Sequence, residues 1–243
     1  ETDENAASAS EQLLTNLCDR VRESTRMIAE EKSNHVRIDD DAIDALVRTV
    51  PGHQFVGMTS KTGFNRFDGS IHYIGEREKD TIQYLLGLDA INFCFWPDDE
   101  LEYEDLAKGL KAAILEDRHC LSASALEHMT GTRLRGLLGW PRALPLESGR
   151  ARLLNEVGRE LRIAFGGRAA NLVQAAEGYA CRLVKLLTAH FPGFRDQAVY
   201  GGRQVFLYKR AQIFCGDLWG AFGGQGYGKF YDIEKFSKCF KER

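Results

Sequence analysis

Helical periodicity is the feature that most constrains this chain. In one segment after another, apolar side chains recur three or four residues apart, the spacing that gathers them on one face of a 3.6-residue helix. "SEQLLTNLCDRVRESTRMIAEE" carries Leu13, Leu14, Leu17, Val21 and Ile28 in this pattern, with Ser10 placed to cap it. "IDDDAIDALVRTV" predicts a short helix whose opening acids suit the dipole, closed by Pro51-Gly52. Further helices are expected from Asp80 to Phe95, over "YEDLAKGLKAAILED", and over the short runs "SASALEHM" and "GTRLRGLLG". The longest periodic segments are "LESGRARLLNEVGRELRIAFGG" and "RAANLVQAAEGYACRLVKLLTAHFPGF", and a last helix is expected from Gln204 to about Phe222. Only residues 51–78, rich in Gly, Thr, Ser and aromatics, depart from the pattern and predict a loop with one or two short strands. A second extended stretch is expected at 199–203. The fold class is therefore mainly α: one helical domain over residues 11–243, a disordered tail over 1–10 and a small extended insert near 51–78.

Composition narrows the function. The 243 residues suffice for a sizeable core. A net charge of −3 and a pI near 6.1 argue against general affinity for nucleic-acid backbones, so duplex nucleic acid is not an expected partner. No apolar run approaches the ~20 residues that span a bilayer, and "ETDENAASASEQ" does not read as a secretory signal. The six cysteines are scattered, with no C-x-x-C and no zinc-like spacing, which suits a reducing, cytoplasmic compartment and predicts no metal. Those in "NFCFW" and "QIFCGDLW" read as small buried hydrophobes. "GLLGWP" and "GGQGYGK" follow no strand and so do not read as nucleotide loops. A G-x-S-x-G elbow and H-E-x-x-H or H-x-E contexts are absent. The acidic runs at 39–41 and 98–100 read as solvated faces or helix starts.

One constellation remains. His72 stands just before the aromatic helix, and "LLGLDAINFCFW" supplies Asp89, Asn92, Phe93, Phe95 and Trp96. "YKRAQIFCGDLW" places Lys209, Gln212 and Gly216 on one helical face, with Arg210, Ile213 and Asp217 on the next. Polar groups this dense among Phe, Cys and Trp need partners, so either a ligand or an internal network is implied. Each residue keeps a structural alternative. Lys209 and Arg210 could pair with Asp217, Asn92 could brace its own helix, and His72 could be a satisfied turn histidine. At least one of the three rings must be plain core.

Together these segments resemble the queuosine salvage family, the queuosine 5′-phosphate N-glycosylases. The family's "YLL.LDA.NFCFW", "LLNE.G..L...FGG", "FP.FRD", "YKRAQI...DLW" and "F.DI" have counterparts here. They are "YLLGLDAINFCFW", "LLNEVGRELRIAFGG", "FPGFRD", "YKRAQIFCGDLW" and "FYDI", in the same order. The resemblance spans about Cys18 to Phe236. It implies a cytosolic helical protein related in fold to helix-rich DNA glycosylases. Such a protein would use no cofactor and would cleave the N-glycosidic bond of queuosine 5′-phosphate to release queuine for tRNA modification. Substrate contacts are expected from His72, Asn92, Phe95, Trp96, Lys209, Arg210 and Asp217, with a basic side chain meeting the 5′-phosphate. The family's "MFADYR.PQ" carries the expected catalytic Asp, and without a gap that position falls on Lys241, so no catalytic residue is assigned. On that ground the resemblance also implies a second reading, a non-catalytic helical module that binds a nucleoside or a partner. A third, action on DNA, conflicts with the mild acidity.

Overall fold

The computed structural model describes residues 19–30, 37–49 and 69–222. Among these the chain is mainly helical, and its described parts fall into two compact units.

The smaller unit contains a helical segment over 19–30, helix α1 (Asp40–Thr49) and a hairpin of strands β1 (Gln197–Tyr200) and β2 (Arg203–Phe206). Asp39 caps α1 by accepting from the Ala42 N–H at 3.0 Å, and Asp40 and Asp41 fill the first turn as expected. The hairpin pairs antiparallel from Gln197↔Phe206 to Tyr200↔Arg203. Its two-residue turn is Gly201-Gly202, both at positive φ, the conformation that matches the twist of the flanking strands. Ser24 Oγ accepts from the Phe206 N–H at 3.0 Å. The final helix expected from Gln204 therefore does not begin there, because residues 203–206 are strand.

The larger unit is organised around α2 (Glu78–Ile91), against which α3 (Tyr103–Glu116), α6 (Glu147–Ala164), α7 (Ala169–Ala175) and α9 (Lys209–Ala221) all pack. From Thr81 to Ile91 only Gln83 escapes full burial, and its amide joins two neighbours. Gln83 Nε2 donates to Leu121 O at 2.9 Å, and Oε1 accepts from Ala169 N at 3.0 Å. A helix apolar all round is a core helix, not a surface one. Short α4 (Ala123–Glu127) and α5 (Gly131–Leu138) start on Ser122 and Thr130, whose hydroxyls accept from Ala125 N and Arg133 N. Gly139 ends α5 in the left-handed conformation, as the Gly-Pro punctuation predicted.

Three expected boundaries move. Helix α2 stops at Ile91 instead of Phe95, because the next carbonyls turn away to meet the Arg150 guanidinium. The segment 168–194 is two helices, α7 and α8 (Ala180–His190), separated where Glu177 and Gly178 both take positive φ. Helix α9 begins at Lys209. No strand forms over the described residues 69–78, while Ser10 and residues 51–68 lie outside the described residues. Cys94, read as buried, is exposed, whereas Cys215 is buried. The acid run at 98–100 is more than a solvated face. Asp98 accepts from Trp140 Nε1 and Arg142 Nε, both at 2.9 Å, and the Arg142 partner holds its carboxyl down at about 2.

The closest helix contact joins α4 to α6. A Cβ on Gly158 would stand 2.3 Å from Glu127 N and 2.4 Å from Ala123 O, so only glycine fits. Asn155, one turn earlier, donates to the carbonyls of Leu126 and Met129, both at 2.9 Å, and so closes the end of α4. Gly158→Ala is expected to destabilise the fold by ~1–3 kcal/mol through overpacking. Gly136→Ala, with open space at its Cβ, should stabilise it by ~0.4–1 kcal/mol. Thermal melts of the two variants beside the parent check both signs.

Candidate active site

Helix α2 carries three polar side chains into the core, Thr81, which accepts from the Gly75 N–H at 2.9 Å, Tyr84 and Asp89. In so apolar a segment each needs a partner, and the neighbours answer for Tyr84. Its hydroxyl donates to Ala107 O at 3.1 Å and lies 3.4 Å from Nδ1 of the buried His72. The His72 ring also tilts against Tyr103, with centroids 5.7 Å apart. Tyr103, at the start of α3, donates a long hydrogen bond of 3.5 Å to Oδ2 of Asp217 on α9.

Asp89 has no such answer. It is completely buried, and neither carboxyl oxygen has a hydrogen-bond partner among the described residues. Burial first, and then the Asp217 charge, push its pKa well above the ordinary carboxyl value. Asn92 and Arg210 act in the opposite direction, the Asn92 amide being close enough to favour the charged form without the geometry of a hydrogen bond. Asp217 is pushed up by burial to about 7, opposed by the Tyr103 bond. Burial and the two carboxyls also raise the Tyr84 and Tyr103 hydroxyls, which therefore stay protonated donors. Asp217, so close to neutrality, can hold and release a proton near pH 7, the property that general acid–base chemistry requires, and beside it the more deeply buried Asp89 is displaced in the same direction.

Of the residues singled out in the sequence, Asn92, Arg210 and Asp217 gather round Asp89, with His72 one tyrosine away. Asn92 caps α2 and is half-buried. Phe95, Trp96 and Lys209 are not among the groups that act on the two carboxyls. Phe95 is half-buried against the Arg150 guanidinium, 5.7 Å from its ring centre, while Trp96 is 82 % exposed. Lys209 is exposed at the first position of α9. Arg210, one residue on, is buried, and its ion pair is with Asp196 at 2.8 Å rather than with Asp217. It also donates to the carbonyls of Ala90 and Gly193, so its hydrogen-bonding capacity serves the fold instead of an anion. Lys241 lies outside the described residues.

Sequence reasoning did not single out Tyr84, Tyr103 or Arg150. The signal for Tyr84 was available: a hydroxyl inside the unbroken apolar run "IQYLLGLDAI" must be buried, and so must be bonded. A separate cavity of about 410 Å³ between α3 and α5, lined by Gly109, Ala113, Asp117, Cys120 and Arg133 among others, contains none of the acid cluster. Among the described residues, no group of His, Cys, Asp and Glu is arranged to hold a metal ion, and no helix is long and apolar enough to cross a membrane.

Fold and site together define a helix-rich protein with two buried carboxyls in its core, bordered by an aromatic loop and a basic helix start. The chain belongs to the queuosine salvage protein family, whose pattern matches residues 71–240. A relative from Dictyostelium discoideum is 40 % identical over 222 residues, 89 % of this chain and 68 % of its own length. One from Sphaerobacter thermophilus is 36 % identical over 220 residues, 86 % of this chain and 65 % of its own length. One from Bos taurus is 31 % identical over 236 residues, 89 % and 67 % respectively. All three bear the name queuosine 5′-phosphate N-glycosylase/hydrolase. The chain spans about two thirds of the length of these relatives.

The buried carboxyls set a pH dependence. Asp217 keeps its proton to about pH 7 when folded, but an unfolded chain releases it near 3.8. Between those values only the folded state holds the proton, so this contribution to stability is full below about pH 4 and is lost as pH rises to about 7. Asp217→Asn removes it. The melting temperature of the parent minus that of the variant is expected to fall by more than ~5 °C from pH 4 to pH 7 and then level off.

Proposed function

We propose that this chain hydrolyses the N-glycosidic bond of queuosine 5′-phosphate and releases queuine. The observation that carries the reading is the carboxyl pair Asp89–Asp217, buried in a chain of this family, with one member unsatisfied among the described residues. Cleavage of an N-glycosidic bond passes through an oxocarbenium-like state, which a carboxylate stabilises while the departing base takes a proton. Asp217, ionising near neutrality beside the Tyr103 hydroxyl, supplies the negative charge. Asp89, held protonated by deeper burial, supplies the proton to the base. Water adds its oxygen to the sugar's C1′ and gives up its proton to the Asp217 carboxylate, and His72 and Asn92 orient the base. Phe95 and Trp96 offer ring faces to a flat base, and stacking of that kind is worth ~1–3 kcal/mol.

Lys209 meets the 5′-phosphate. It stands exposed at the N-terminal end of α9, where the helix dipole adds to its charge. The thiols of Cys94, Cys120 and Cys215 suit work in the cytosol, and the net charge of −3 suits a small-molecule substrate over duplex nucleic acid.

Incubating the pure chain with queuosine 5′-phosphate and following free queuine tests the reading. Release by the parent is expected, with Asp89→Asn and Asp217→Asn each ~10²–10³ slower. No release by the parent at any enzyme concentration rejects it. Lys209→Ala should raise KM for the nucleotide by ~10-fold or more while leaving KM for unphosphorylated queuosine unchanged, since a charge-assisted hydrogen bond is lost only in the first case.

A further inference from the structure

Arg150 is an anomaly in this core. It is fully buried on α6, yet no carboxylate faces it among the described residues, and burial draws its pKa down to about 10. Its partners are all carbonyls and rings. Nε donates to Pro145 O at 2.8 Å, one terminal nitrogen donates to Ile91 O, and the other donates to Phe93 O at 2.6 Å and Cys94 O at 2.8 Å. The guanidinium also lies 4.9 Å from the Phe93 ring centre and 5.7 Å from that of Phe95. Arg210 approaches the Phe93 ring at the same 4.9 Å. Two buried cations thus share one ring, and three of the four carbonyls that Arg150 binds belong to residues 91–94.

A buried cation without a counter-ion is costly, and a methionine of similar volume would fill the space without that cost. What methionine could not do is hold three carbonyls of residues 91–94 at once. The guanidinium takes the carbonyls of Ile91 and Cys94, which a continuing helix would have bonded, and that of Phe93, whose helical partner would be the N–H that Pro97 lacks. Cys94 is turned into the left-handed conformation at φ 51. The result is that Asn92 stays beside Asp89 while Phe95 and Trp96 are carried outward on a fixed loop.

We infer that Arg150 is a positioning residue that sets the Asn92–Trp96 loop as the platform on which the substrate's base lies. This rests on the glycosylase reading above. The guanidinium touches no reacting atom, so its effect falls on binding of the base and not on the carboxyl chemistry.

The test uses the full chain and steady-state kinetics with queuosine 5′-phosphate, beside titration of free queuine as a ligand. Arg150→Met is expected to raise KM and the queuine dissociation constant together by about 10- to 100-fold, with kcat changed less than ~3-fold. Arg150→Lys, which keeps charge and donors but not the flat fork, should recover part of the binding. Phe93→Leu keeps Arg150 and removes only the shared ring, so it gives a milder version of the same change even where Arg150→Met fails to fold. Arg152→Ala, on the exposed side of α6, is the control expected to match the parent. Unchanged KM and queuine affinity in folded Arg150→Met or in Phe93→Leu overturns the inference and leaves the glycosylase reading standing. So does a loss confined to kcat. A parent that neither cleaves the nucleotide nor binds queuine overturns that reading, and this inference falls with it.

Discussion

Everything in the larger unit depends on burying α2 on every side. A helix enclosed by α3, α6, α7 and α9 contributes most of its side-chain surface to the core, and that apolar burial supplies the driving force for the unit. The same enclosure fixes the chemistry. Any polar group on such a helix is taken out of water, so its protonation follows from whatever the surrounding helices present. Tyr84 meets a carbonyl and a histidine, and Asp89 meets another carboxyl. The site is therefore a by-product of the packing plan, placed in the last turn of the central helix, where Asp89 stands among Leu88, Ala90 and Ile91.

Helix ends do the rest of the positioning. The N-terminus of α9 brings an exposed Lys209 and a buried Arg210 in consecutive positions, one turned to solvent and one inward. The C-terminus of α2 is stopped by a side chain from α6, not by glycine or proline. Tertiary contacts therefore decide where these two elements stop and start, and both boundaries border the acid cluster.

That division explains what could be read in advance. Helices α3, α5 and α6 were legible because their apolar spacing, caps and terminating glycine are local properties. The end of α2 was not, since Arg150 lies more than fifty residues away from the carbonyls it captures, and "NFCFW" continues the apolar pattern without a break. The hairpin could have been read from Gly201-Gly202, but the apolar residues beyond it join smoothly to the pattern of α9. In the site, the residue types were legible and the pairings were not. Asp217 was singled out together with Arg210, yet the arginine turns to Asp196 and the aspartate to Tyr103. Spacing along a helix gives faces, and only the fold decides what each face meets.

The contact of Gly158 with α4 has a consequence for how such a sequence can drift. A five-residue helix cannot hold its shape alone, so α4 exists because Asn155 closes its end and the bare backbone at 158 lets it lie against α6. Positions 155 and 158 therefore answer to a segment some thirty residues upstream. Any descendant that acquires a side chain at 158 must rebuild residues 123–129 in the same step. Two stretches that look independent in the sequence are thus bound to change together or not at all.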